Sequence, residues 1–170
     1  GYCSLLLVFD PLTTTSNQVR KTIDDLFLDL DEFELPEPAN IEIPVVYGSE
    51  YGPDLAWVAS FHKTTPEDVI RRYTQTGYRV YMIGFTPGFP YMGELPENLQ
   101  TPRKKTPRTA VPRGSVGLAQ KQTGIYPAQS PGGWQIIGRT PLKLFNPLKN
   151  PPNLLEMGDR VRFFRISEEE

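Results

Sequence analysis

The sequence predicts an α+β protein, with a mixed α/β front followed by an all-β barrel or sandwich. Three observations support this. Helix signals are confined to the first half: Val19, Ile23, Leu26, Phe27 and Leu30 recur at helical spacing, and Thr65-Pro66-Glu67-Asp68 places a cap, a proline and two acids in the order of a helix start. Residues 84–158 hold 10 of the 14 glycines and residues 84–152 hold 12 of the 18 prolines, a density that helices do not survive. In that second half, short apolar runs alternate with turn signals.

Taken in order, Ser4 to Phe9 reads as a buried strand ended by Asp10-Pro11. Thr15-Ser16-Asn17 offers capping oxygens for the first helix, which the acidic, proline-containing run 29–38 should stop. Ile41, Ile43 and Val45 alternate around Pro44, as in an edge-like strand. Residues 47–54 form a loop whose Asp54 is placed to cap a short helix through Phe61. The helix begun at Thr65 ends before Gly77, and Arg79 to Ile83 is a strand. Beyond Gly84 the expected strand-sized runs are Ser115 to Ala119, Gly124 to Tyr126, Trp134 to Ile137, Leu142 to Phe145 and Arg160 to Ile166.

A chain of 170 residues, 38% hydrophobic and 22% charged, has the makeup of a soluble globular protein of one domain or one and a half. No apolar run approaches the roughly 18–20 residues of a membrane span. No basic leader precedes an apolar stretch, so neither membrane nor signal peptide is expected and a cytoplasmic location is. The opening on Gly1 rather than Met suggests a missing upstream segment. Residues 1–97 carry 15 acids and 6 bases, whereas Asn98 to Leu155 contains nine bases and no acid. Such a positive block favours an anionic ligand or an acidic partner surface, or else complements the acidic front.

One cysteine and one histidine cannot build a zinc site, so no metal site of that kind is expected. A Cys3–His62 nucleophilic pair reads as structural, with His62 a helix-end cation. The GxSxG elbow, the Walker loop and the GxGxxG turn are all absent. A bound nucleotide would therefore rest on side-chain cations and irregular glycine loops.

Three segments are more specified than a scaffold needs. In Gly84 to Gly93, glycine and proline fix a backbone that carries Phe85, Phe89 and Tyr91, an aromatic wall or a core-lining loop. In Thr101 to Ser115, prolines hold Arg103, Lys104 and Arg108 along an extended chain, suited to carboxylate or phosphate or simply to a solvated edge. From Gln120 to Thr140, Gln120, Gln122, Thr123, Ser130, Gly132, Gly133, Trp134 and Arg139 supply neutral hydrogen-bonding groups, a turn, an aromatic and a cation. Such groups orient an amide or carboxylate, or serve as turn chemistry around a core tryptophan. Nucleic acid is not expected, since ribonucleoprotein motifs are missing and the pI is near 5.5.

Those segments, TPGFPYMG, TPRKKTPRTAVPRGSVGLA, QTGIYPAQSPGGW and IIGRTPLKLF, together with YGSEYGPDL, resemble the family of the smaller 5-oxoprolinase subunit, allophanate hydrolase subunit 1 and the KipI-type kinase inhibitor. The resemblance covers nearly the whole chain. It implies a remnant α/β domain over 1–47 and a cyclophilin-like β-barrel over 48–170. It also implies a larger homologous partner subunit, a possible third subunit, and ATP, with accompanying Mg²⁺, used to open a lactam or amide, most directly 5-oxoproline. Arg103, Lys104, Arg108 and Arg139 would neutralise phosphate or carboxylate charge, Gln120, Gln122, Thr123 and Ser130 would orient the amide, and the partner would supply a general base. Catalytic candidates on this chain are Arg103, Arg139, Gln122 and Tyr73, the last standing where relatives generally carry a histidine. The other reading the resemblance offers is a regulatory module that inhibits a sensor histidine kinase. A prolyl isomerase is suggested by the fold alone.

Overall fold

Thr15 and Gln18 start the first helix reciprocally: the Gln18 N–H donates to Thr15 Oγ1 at 3.3 Å and the Thr15 N–H donates to Gln18 Oε1 at 2.8 Å. The computed structural model describes residues 4–28 and 37–169, and the chain divides into two units between Glu37 and Pro38. In the first unit the helix, α1, spans Ser16–Leu28 and buries none of its residues. Residues 4–9, expected as a buried strand, are exposed and form no strand. An apolar run becomes a strand only when another strand takes up its backbone groups. Cys3 and Leu30 lie outside the described residues.

The second unit contains β1 (Asn40–Tyr47), α2 (Leu55–Phe61), α3 (Pro66–Gln75), β2 (Gly77–Ile83), β3 (Pro90–Gly93), a 3₁₀ turn at Glu97–Leu99, β4 (Arg108–Val111), β5 (Ser115–Ala119), β6 (Gln122–Ile125), β7 (Ser130–Gly132), β8 (Gln135–Arg139) and β9 (Arg160–Arg165). Seven strands close into a barrel in the order β1-β8-β5-β6-β3-β2-β9, and β4 and β7 form a separate two-stranded ribbon. The closing pair, β1 with β9, is parallel and the other barrel pairs are antiparallel. Closure leaves the barrel itself without an open sheet edge.

The expected all-β second half is therefore present, with three corrections. The division expected after residue 47 falls before Pro38, because β1 is a barrel strand held by β8 and β9. Nor is β1 an edge: Pro44 is tolerated because β8 pairs only with Val46 and Tyr47, so Pro44 lies where β9 alone is the partner. Leu142 to Phe145 forms no strand beyond a bridge from Phe145 to Asn153. Pro141 and Pro147 bound that run, and Pro151 and Pro152 remove two N–H donors from the segment that faces it across the Phe145–Asn153 bridge.

Strand alternation sorts the barrel residues into two layers. Ile43, Val45, Val80, Met92, Val116, Leu118, Ile125, Ile137, Val161 and Phe163 form the main core, joined by Val69, Ile70 and Tyr73 of α3. Thr65 caps α3, its Oγ1 accepting from the Asp68 N–H at 3.2 Å, a contact that stabilises the helix by about 1 kcal/mol. The opposite faces of β3, β5 and β8, with residues flanking the strands, contribute to a second cluster, Phe89, Val111, Ala119, Tyr126, Trp134 and Ile136, with Tyr91 against it. That outer cluster carries the candidate site.

Candidate functional site

The basic segment after the 3₁₀ turn is tied down residue by residue. The Gln120 N–H donates to the Thr101 carbonyl at 2.6 Å, and Gln135 Nε2 donates to the Pro102 carbonyl at 2.9 Å. The Lys104 N–H donates to the Gly133 carbonyl at 2.7 Å. Arg103 therefore projects from a backbone fixed on both sides, and such preorganisation lowers the ordering cost of binding. It lines two clefts at once.

The first cleft, of about 370 Å³, is aromatic. Phe89 is its centre, meeting Tyr126 edge-on at 5.2 Å, Trp134 edge-on at 5.5 Å and Tyr91 at 4.8 Å between ring centroids. Phe85, exposed at the rim, packs edge-on against Phe89 at 5.6 Å and holds a φ of +65°, a strained conformation for a bulky residue. Glycines make the room: a Cβ on Gly124 would meet the Phe89 ring at 2.9 Å, and one on Gly117 would meet Trp134 Cβ at 3.0 Å. The Trp134 backbone N–H bonds the Tyr126 phenol oxygen, and burial raises the pKa of both Tyr126 and Tyr91 despite the opposing charge of Arg103. Both phenols therefore stay neutral donors.

The second cleft, of about 540 Å³, lies across the same segment and is lined by Asp54, Trp57, Arg103, Lys104, Lys105 and Gln135, among others. Asp54 is nearly buried. Its Oδ1 accepts from Lys104 Nζ at 3.1 Å and Arg108 Nη2 at 2.8 Å, and its Oδ2 accepts from the Ile136 N–H at 2.7 Å. Burial pushes its pKa up, but the bonds from Arg108, Ile136 and Lys104 outweigh that and leave it below the usual carboxylate range. Asp54 makes no side-chain cap on α2, contrary to expectation, because its oxygens are engaged elsewhere.

The structure thus brings together Phe85, Phe89, Tyr91, Arg103, Gly132, Gly133 and Trp134 of the expected set, and adds Tyr126. Lys104 and Arg108 are anchored to Asp54, while Gln120 acts through its backbone on Thr101. Tyr73 and Thr123 are core residues: the Tyr73 hydroxyl lies 2.7 Å from Thr123 Oγ1, which donates to the Gly117 carbonyl at 3.0 Å, so neither reaches a cleft. Burial drives the Tyr73 pKa well up. Gln122, between Gly93 and Ala119, and Ser130, opposite Val111, line neither cleft.

Arg139 stands at the other end of β8 from Gln135, about 13 Å along the strand. There it lies over the Tyr51 ring at 5.2 Å in a separate cavity of about 190 Å³. His62 is not the expected cation, since burial lowers its pKa. Among the described residues, no cluster of three or more His, Cys, Asp or Glu side chains forms a metal cage, and no helix is long and apolar enough to cross a membrane. The roles of Trp57, Tyr126 and Gln135, and the ionic role of Asp54, escape a sequence reading because they depend on what the fold brings together: Gln135 meets Pro102 from 33 positions away, and Asp54 meets Lys104, Arg108 and Ile136 from 50, 54 and 82. Only the GIYP run hinted at Tyr126.

A family model described as the carboxyltransferase domain, subdomain C and D, matches residues 1–155. The 5-oxoprolinase subunit designated B in Bacillus subtilis (strain 168) is 46% identical over 159 residues, covering 94% of this chain and 66% of that protein. The protein of the same name from Haemophilus influenzae is 60% identical over 124 residues, covering 73% of this chain and 58% of its own length. The chain thus spans about three fifths to two thirds of these relatives. A conserved uncharacterized protein of Pyrococcus horikoshii superposes with a TM-score of 0.75 at 43% identity, over 95% of this chain and 74% of that one.

Proposed function

The chain belongs to the carboxyltransferase-domain family, subdomain C and D, and on that premise we propose that it is part of the smaller subunit of an ATP-dependent 5-oxoprolinase. The observation that carries this reading is the aromatic cleft lined by one guanidinium, that of Arg103, whose flanking backbone is tied down. Its volume of about 370 Å³ lies in the range of small-molecule sites. A five-membered lactam is flat and largely apolar, and it bears one carboxylate. The ring would pack among Phe89, Tyr91, Tyr126 and Trp134, and Arg103 would receive the carboxylate or the charge that develops on the lactam oxygen.

The chemistry balances with two waters. The γ-phosphoryl group passes from ATP to the lactam oxygen and ADP leaves. Water adds to the activated carbon, the ring C–N bond breaks and the nitrogen takes a proton, giving an acyl phosphate. A second water then releases phosphate and leaves glutamate. This chain contributes orientation, an apolar wall and positive charge. Asp54 is held ionised by its partners and burial raises the phenols of Tyr91 and Tyr126, so none of these three is poised to exchange a proton near neutrality. The proton-transfer group is therefore assigned to the larger partner subunit. The donor set also does not fit a Mg²⁺ cage, since Asp54 is already engaged. Mg²⁺ would arrive on the ATP phosphates, and no step on this chain runs through it.

The test is ATP hydrolysis by the full-length protein assembled with its larger subunit and the third component, with and without 5-oxo-L-proline. Stimulation by 5-oxoproline that falls at least tenfold in kcat/KM on Arg103→Ala is expected. An assembled complex that shows no stimulation overturns the reading.

A further inference from the structure

The proposed reaction needs a place for the nucleotide, and the cleft on the far side of Arg103 has the chemistry for one. We propose that the cleft bounded by Trp57 and the segment Arg103-Lys104-Lys105 binds a nucleoside polyphosphate, with the base on Trp57 and the phosphates on the cations. That the nucleotide is ATP rests on the reading above. That the cleft takes a phosphate ester bearing a flat ring rests on the residues themselves.

Four cations, Arg103, Lys104, Lys105 and Arg108, stand against the single carboxylate Asp54, leaving a local excess of positive charge. Asp54 ties down Lys104 and Arg108, so the segment is held without being neutralised. Arg103 and Lys105 have no carboxylate partner within salt-bridge distance among the described residues. Where no phosphate loop exists, side-chain cations on a held backbone can take its place for a polyanion. Trp57 supplies what a bare phosphate site lacks. It is 45% exposed and stacks on Phe61 at 5.4 Å with an interplanar angle of 22°. Phe61 backs one face of the indole, and Trp57, not Phe61, lines the cleft. A base stacked on such an aromatic platform is typically worth tenfold or more in affinity. Arg103 joins the two clefts, so a terminal phosphate here would end beside the group that faces the lactam cleft.

Binding of the non-hydrolysable analogue AMP-PNP and of tripolyphosphate to the assembled complex, followed by calorimetry, tests this. AMP-PNP should bind more tightly than tripolyphosphate. Trp57→Ala should remove that preference and leave tripolyphosphate binding unchanged. Lys105→Ala should weaken both about tenfold and flatten the dependence on salt. Circular dichroism and complex formation confirm that each variant folds. AMP-PNP binding unaffected by Trp57→Ala and Lys105→Ala overturns the proposal, as does binding no tighter than tripolyphosphate. If 5-oxoproline-stimulated hydrolysis survives in those variants, the enzyme reading stands and the nucleotide lies elsewhere. If the nucleotide binds as described but 5-oxoproline has no effect, the cleft assignment stands and the lactam reading fails.

Discussion

The Asp54 carboxylate lies 2.8 Å from the Arg108 guanidinium, joining the loop before α2 to the first residue of β4 across 54 positions of sequence. The same group holds Lys104 and the Ile136 N–H, so one side chain fixes the basic segment against the barrel wall.

Asp54→Asn should therefore cost about 2 kcal/mol of unfolding free energy at pH 7, because two cations and an amide lose an ionised acceptor. The folded pKa is depressed, so this contribution is fully present above the unfolded carboxylate range near pH 4 and is lost as the pH falls through the lower folded value. In urea titrations the gap between wild type and variant should be full at pH 7 and should shrink below about pH 4. A gap independent of pH would rule out the ionic account.

Gly132→Ala and Gly133→Ala should behave differently although they are neighbours. A Cβ on Gly132 would run into the Tyr126 hydroxyl, whose ring is buried and whose oxygen is bonded to Trp134. Overpacking there should cost about 1–3 kcal/mol and disturb the aromatic cleft. On Gly133 the nearest atom would be Pro107 Cγ at 3.5 Å, an ordinary contact, so thermal unfolding should barely change.

Tyr73→Phe removes the hydroxyl 2.7 Å from Thr123 Oγ1. Stability should fall by about 1 kcal/mol while kcat and KM of the assembled enzyme stay within twofold, since Tyr73 belongs to the core. A loss of kcat with unchanged stability would return Tyr73 to the active site.

Arg139→Ala should separate the two arginines that the sequence groups together. It removes a cation lying over Tyr51, about 0.5–1 kcal/mol, and should leave the KM for 5-oxoproline unchanged. Arg103→Ala should raise that KM about tenfold or more. Equal effects from both would contradict the separation of their cavities.

Local chemistry made much of this legible in advance. The Thr65-Pro66-Glu67-Asp68 start, the alternation in β1 and the glycine-proline texture after Gly84 each act within a few residues, and each appears in the structure, although β1 is a paired barrel strand rather than an edge and Leu142 to Phe145 forms no strand. The aromatic wall was also legible, because Phe85, Phe89 and Tyr91 lie close together on one constrained stretch. Asp54 reads as a helix cap and makes none, and Tyr73 reads as a candidate for chemistry and lies in the core, for the same reason. A side chain's role depends on what the barrel carries to it from elsewhere in the chain: Arg108 and Ile136 in one case, Thr123 in the other. Likewise Ser4 to Phe9 has the composition of a strand yet forms none. Periodicity and turn chemistry are properties of neighbouring residues and so were determined by the sequence read by itself. Which cations are neutralised, which tyrosine is buried and which arginine faces the aromatic cleft were decided only when barrel closure brought distant segments within hydrogen-bonding distance.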